Sequence, residues 1–175
     1  IFKESNKIDL PIFASPFDLK AVSFLEDLNC PIYKIASPEI NDTGLISACA
    51  STGKPIILST GLANKEDIDL AVEIIQSYRV PYMILKCVSA YPTPIKDMNI
   101  STLNWLKDTY GCSVGLSDHT LGMNAGFAAT ALGASMIEKH FRMADDETSV
   151  DSSFSMNIDK IQEYKEAIHN IYSAI

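Results

Sequence analysis

Six times along this chain a short apolar run is followed by a polar loop and then an amphipathic stretch. The apolar runs lie at 11–15, 32–37, 55–60, 82–89, 113–119 and 135–141. Their starts are spaced about 20–30 residues apart, the length of one strand–helix unit. The runs are apolar nearly throughout, as parallel strands covered on both faces must be. Helices are expected between them at 18–28, 42–51, 65–78, 100–110, 123–132 and 159–174. The third has the helical period in Ile68, Leu70, Ala71, Ile74 and Ile75, and Asn157 offers an N-cap for the last. Such a series is α/β, and it fits either an open doubly wound sheet or part of a (β/α)8 barrel. No glycine-rich phosphate fingerprint follows any strand, which weakens the nucleotide-fold reading. Every strand ends in polar residues, as in a barrel, where all strand ends face one pocket. A barrel needs eight units, so about six are expected here, with the first two strands missing from the N-terminal side.

Net charge and cysteine usage narrow the function classes. The net charge of −8 gives no nucleic-acid footprint, yet local lysines can still gather in one cleft. Cys30, Cys49, Cys87 and Cys112 are scattered, with no metal-knuckle spacing, and are expected as reduced thiols of a cytoplasmic protein. No apolar run approaches the length of a membrane span, and no signal peptide is recognisable, so no membrane partner is expected.

His119 and His140 each close an apolar run, where folds of this class carry their chemistry. Two imidazoles on neighbouring strand ends make a half-shell for a divalent ion, completed by water or substrate oxygens. That suits manganese better than a closed zinc site. Residues two apart share a strand face, so Glu138 joins His140, and Gly115 and Ser117 join His119. Lys34 and Lys86 lie inside apolar strands and need a charge partner or a path to water. An anionic substrate is the favoured partner for Lys34, while Lys86 is evenly balanced between ligand and rim. Ser37, Ser59, Thr60 and Ser117 add hydroxyls near strand ends, and with the lysine they describe an anion pocket. Glu39 is equally a general base or a helix N-terminal charge. Tyr91, in Tyr91-Pro-Thr-Pro94, either covers a substrate or punctuates a loop. Asp145-Asp146-Glu147 reads as a solvated loop, and His169 has no assigned role.

Seven stretches resemble the sialic-acid synthase family of N-acetylneuraminate, legionaminate and pseudaminate synthases. They are Phe13-Ala-Ser-Pro-Phe-Asp18, Tyr33-Lys-Ile-Ala-Ser-Pro-Glu39, Leu58-Ser-Thr-Gly61, Leu85-Lys-Cys-Val-Ser-Ala-Tyr-Pro-Thr-Pro94, Gly115-Leu-Ser-Asp-His-Thr120, Ile137-Glu-Lys-His-Phe141 and Asp151-Ser-Ser-Phe-Ser155. They stand in family order over nearly the whole chain, and the forms at Ala36 and Ser89-Ala-Tyr91 look most like the pseudaminate branch. The resemblance implies a (β/α)8 TIM barrel that condenses phosphoenolpyruvate with an N-acetylated amino sugar. The implied product is a nine-carbon 2-keto sugar acid, with phosphate released. It implies His119 and His140 as ligands of manganese, or alternatively magnesium, a metal that would polarise the sugar aldehyde. Lys34, Ser59 and Ser117 would hold phosphoenolpyruvate, with Ser89 nearby. Glu138 would hold or deprotonate a water or a sugar hydroxyl, and Tyr91 and Asp151 would touch the sugar. The chain, 1–175, would then be a partial catalytic barrel without the family's C-terminal antifreeze-like domain. The full-length protein would be a homodimer. Ser149-Val150 departs from the Gly-Pro usual before the aspartate. Two rivals are a lysine Schiff-base aldolase using Lys86 or Lys34, and a non-catalytic sugar- or anion-binding paralogue.

Overall fold

The computed structural model describes residues 1–146 and 148–175. It divides into two compact units, Ile1–Met83 and Ile84–Ile175. Of the expected acidic loop, Glu147 lies outside the described residues.

The first unit opens with a short helix α1 (Phe2–Lys7), which the hydrophobic pattern did not announce. Helix α2 (Leu19–Asp27) starts where Asp18 accepts the Ala21 N–H at 2.7 Å. Strand β1 (Tyr33–Ile35), helix α3 (Thr43–Ser51), strand β2 (Ile56–Ser59) and helix α4 (Lys65–Ser77) follow. Asp42 caps α3, and a reciprocal Asn64–Asp67 capping box opens α4. β1 and β2 pair in parallel with Lys34 opposite Ile57, and all seven of their residues are buried. The expected first strand at 11–15 is reduced to one bridge, Ala14 to Tyr33, with the Ala14 carbonyl accepting the Lys34 N–H. Pro11 and Pro16 bracket it and offer no N–H to a ladder. Ile56 donates to the Pro81 carbonyl at 3.0 Å, where strand β3 (Tyr82–Cys87) begins.

The second unit carries the rest of β3, helix α5 (Thr102–Tyr110), strand β4 (Ser113–Asp118), helix α6 (Asn124–Ala131) and strand β5 (Ile137–Lys139). Gly111, with φ of 59°, ends α5 in the left-handed conformation that glycine adopts at least cost. β3, β4 and β5 lie side by side in that order, and β4 and β5 run parallel with Ser117 opposite Glu138 and Asp118 opposite Lys139. The sixth expected strand does not run through to Phe141. It breaks at His140, and β6 (Phe141–Arg142) pairs instead with β7 (Met156–Asn157). Asn157, expected to cap the last helix, caps instead the 3-10 turn Ile158–Lys160, and helix α7 (Ile161–Ser173) follows with Lys160 at its N-cap and no side-chain cap. Strand-then-helix units with parallel strands establish the α/β class expected of this chain. All four cysteines are free thiols.

Candidate functional site

In the first unit, β1, the turn after it and the end of β2 carry Lys34, Ser37, Glu39 and Ser59. Lys34 is 6% exposed on β1. Ser37 opens a 3-10 turn, Ser37–Glu39, and its hydroxyl accepts the Gly61 N–H at 2.8 Å. That bond ties the loop after β1 to the loop after β2. The Ser59 hydroxyl is buried without a hydrogen-bond partner among the described residues, as is one Glu39 carboxyl oxygen. A buried hydroxyl without a partner is costly, and it is a sign that something else completes the site.

Burial pushes the Glu39 carboxyl above the usual carboxylate range, and the Lys34 charge pulls it part of the way back. The folded chain therefore keeps the Glu39 proton to a higher pH than the unfolded chain does. Between those two pH values the folded state binds more protons, so this group costs stability as pH rises through the window. Glu39→Gln is expected to be more stable than the wild type at about pH 7 and equal to it at about pH 4. Urea unfolding at both pH values is the check, and an equal gain at both would exclude burial of the charge as the cause.

In the second unit, β3, β4 and β5 deliver the two histidines. The Ser117 hydroxyl donates to Glu138 Oε1 at 2.6 Å across the β4–β5 register. His119 is buried, and its Nδ1 lies 2.8 Å from the Val88 carbonyl oxygen. A carbonyl only accepts, so Nδ1 carries the proton and Nε2 keeps its lone pair. His140 Nδ1 lies 3.4 Å from an Asp151 carboxylate oxygen. The two imidazole centroids are 5.4 Å apart. Tyr91 stacks over His119 at 4.1 Å, and Phe154 lies 5.2 Å from both Tyr91 and His140. The aromatic pair walls the histidines from one side.

Burial alone would lower the His119 imidazole, but its hydrogen bonds to Cys87 and Val88 outweigh that and leave it raised. His140 is held below its ordinary value by burial and by the neighbouring His119, against the pull of Asp151 and Glu138. The Lys86 ammonium donates to the Cys87 carbonyl at 2.9 Å, and burial lowers its pKa.

The residues fit a divalent ion. Each histidine has its Nδ1 engaged by an oxygen, the arrangement that aims Nε2 of metal-binding histidines. Among the described residues no cluster of three His, Cys, Asp or Glu side chains stands ready for a metal. The pair would therefore take its remaining ligands from water or substrate, as in open catalytic sites.

Of the residues singled out by sequence, Ser117, His119, Glu138, His140, Tyr91 and Asp151 come together in this unit, with Ser89 in the same exit loop as Tyr91. Sequence reasoning passed over Phe154, the Val88 carbonyl and, above all, the buried pair Asp118–Lys139, at 2.9 Å. The signal was present: both charges sit inside apolar strands, where a bare charge cannot stay.

The NeuB family model matches residues 1–175. The chain is 46% identical over 169 residues to the pseudaminic acid synthase of Helicobacter pylori, covering 96% of this chain and 50% of that protein. It is 40% identical to the pseudaminic acid synthase of Campylobacter jejuni strain 81-176, covering 100% of this chain and 51% of that protein. Among solved structures, the N-acetylneuraminic acid synthetase of Leptospira borgpetersenii superposes with a TM-score of 0.94 at 33% identity, over 98% of this chain and 60% of that one. The chain thus spans about half the length of the curated relatives it matches. The seven motifs, the paired histidines and the match along the full chain agree: this chain belongs to the NeuB family, on its pseudaminic acid synthase side.

Proposed function

We propose that the full-length protein condenses phosphoenolpyruvate with an N-acetylated amino sugar of the pseudaminate-precursor or N-acetylmannosamine type. The product is a nine-carbon 2-keto sugar acid, with inorganic phosphate released. The observation that carries this reading is the pair His119 and His140, with centroids 5.4 Å apart beside the Ser117–Glu138 bond. Similarity to pseudaminic acid synthases supports the substrate class.

In this reading carbon 3 of phosphoenolpyruvate bonds to the sugar aldehyde carbon. Water adds at carbon 2, and cleavage of the C–O bond there releases phosphate. His119 and His140 would hold manganese or magnesium, which would supply a Lewis acid for the aldehyde oxygen. Glu138 takes the proton of the water or of a sugar hydroxyl, and the Ser117 hydroxyl orients its carboxylate. Lys34 and Ser59 hold phosphoenolpyruvate, with Ser37 shaping that loop and Glu39 as a second acid–base group. Ser89, Tyr91 and Asp151 contact the sugar, while Tyr91 and Phe154 keep bulk water from the histidines. The protein works as a cytoplasmic homodimer. Among the described residues no helix is long and apolar enough to cross a membrane.

The test is phosphate release by the full-length protein with phosphoenolpyruvate, manganese and a panel of N-acetylated sugars. Sugar-dependent release supports the synthase, and the best sugar names the branch. No release with any sugar moves the reading to a non-catalytic paralogue or a Schiff-base aldolase. The Schiff-base aldolase has one observation in its favour, the lowered pKa of Lys86. It needs no phosphoenolpyruvate and releases no phosphate, so the same assay separates the two.

Ser59→Ala separates anion binding from folding. Removing a buried hydroxyl that has no partner is expected to leave the melting temperature unchanged or raised. The KM for phosphoenolpyruvate should rise about tenfold or more, the worth of one hydrogen bond to a charged group. An unchanged KM would take Ser59 out of the anion site.

A further inference from the structure

Lys139 and Asp118 each precede one of the paired histidines, on β5 and β4. They face each other directly in the β4–β5 register, one step before His140 and His119. Alternation along a strand turns both away from the Ser117–Glu138 face. Their side chains are 8% and 0% exposed. Lys139 Nζ donates to Asp118 Oδ2 at 2.9 Å and to the Thr120 carbonyl at 2.7 Å. Asp118 Oδ1 accepts from the Thr120 N–H at 2.8 Å and from its hydroxyl at 2.7 Å. One ammonium therefore reaches from the residue before His140 to the residues on both sides of His119. Thr120 bridges to Thr93, whose N–H donates to the His119 carbonyl at 2.9 Å. The exit loop that carries Tyr91 is held by the same network.

A buried ion pair is a poor way to gain stability, because apolar side chains of the same volume do as well. What it supplies is direction: charged hydrogen bonds are short and tolerate little displacement. We propose that the Asp118–Lys139 pair is a positioning clamp that holds His119 and His140 at the spacing that lets them share one divalent cation. The inference rests on the reading of these histidines as a metal pair. Neither Asp118 nor Lys139 is a ligand. Each acts through the histidine next to it in the chain.

The experiment is titration of the full-length protein with manganese alone, followed by calorimetry and by the manganese electron paramagnetic resonance spectrum. Lys139→Met is expected to weaken manganese binding about 10–100-fold, the usual effect of losing a partner behind the ligands. It should also broaden the bound-ion spectrum, at temperatures where circular dichroism shows the fold intact. Lys139→Arg, which keeps the charge, should fall between Lys139→Met and the wild type. Asp118→Asn keeps the acceptor for Thr120 and weakens only the bond to Lys139, so it answers the question if Lys139→Met does not fold. A folded Lys139→Met or Asp118→Asn that binds manganese as tightly as the wild type, with only a lowered melting temperature, would overturn the clamp. The His119→Ala/His140→Ala double variant separates the two readings. A wild type that binds no better than this control removes the metal pair and the clamp with it. Tight wild-type binding that survives in the clamp variants removes the clamp alone.

Discussion

Replacing His119 and His140 together by alanine is expected to lower sugar-dependent phosphate release by the full-length protein at least about a thousandfold, since a Lewis acid contributes several kcal/mol to such a transition state. The loss should come with loss of bound metal, measured by mass spectrometry of the purified protein. Each single variant keeps one imidazole and should be partly rescued by excess manganese, with His140→Ala rescued more readily. His140 is the more open of the two, whereas His119 is buried and bonded to Val88. Neither change should lower the melting temperature as a core truncation would, because alanine leaves room for water beside Tyr91 and Phe154. A double variant that releases phosphate within about threefold of the wild type would remove the metal pair from the chemistry, a difference of less than 1 kcal/mol.

The second large effect is structural. Gly115→Ala is expected to destabilise the protein by about 1–3 kcal/mol or more, the cost of forcing extra volume into a packed core. An added Cβ would lie 2.6 Å from Leu85 Cδ2 and 2.6 Å from the Met136 carbonyl oxygen. Leu85 is fully buried, and the Met136 carbonyl accepts the Leu116 N–H at 2.9 Å, so neither can yield without loosening the edge of the β4–β5 ladder. The matched control is Gly44→Ala in α3, where the new Cβ would meet only Asp42 Oδ1, at an ordinary 3.5 Å. That change should be neutral or gain about 0.5–1 kcal/mol, the usual difference between alanine and glycine in a helix. Urea unfolding of both variants is the measurement. Equal stabilities would mean that Gly115 is not there for close approach.

The order of β1–β5 and of α2–α7 was legible because each of these elements carries its own local signal. Asp18, Asp42 and Asn64 mark helix starts by side-chain chemistry, and β1 and β2 are apolar on both faces because both are covered. The paired histidines were legible for the same reason: each closes an apolar run, and period-two alternation puts Ser117 and Glu138 beside them. Pairings between distant segments were not. β6 and β7 are two residues each, with no run long enough to show a period. The strand expected to reach Phe141 breaks at His140 because Met156 arrives from beyond the loop to donate to the His140 carbonyl at 2.9 Å. Ser37 was singled out because serines cluster at strand ends, and its further bond to the Gly61 N–H becomes visible only once two loops are folded side by side. The same alternation assigns Asp118 and Lys139 the face behind the histidines, and only the β4–β5 register shows that they pair.

The exchange of partners at His140 has a consequence for how such a protein can change. β6 and β7 close the base of the chain that leaves at Arg142 and returns at Met156, while β4 and β5 are built without it. Doubling the length of a flexible loop costs only about 0.6 kcal/mol once its ends are held. Asp151 and Phe154 sit inside that closed loop, and His119 and His140 sit outside it. On the proposed reading, variation at loop positions other than Asp151, whose carboxylate engages His140 Nδ1, can retune which sugar is accepted while the histidine pair is left as it is.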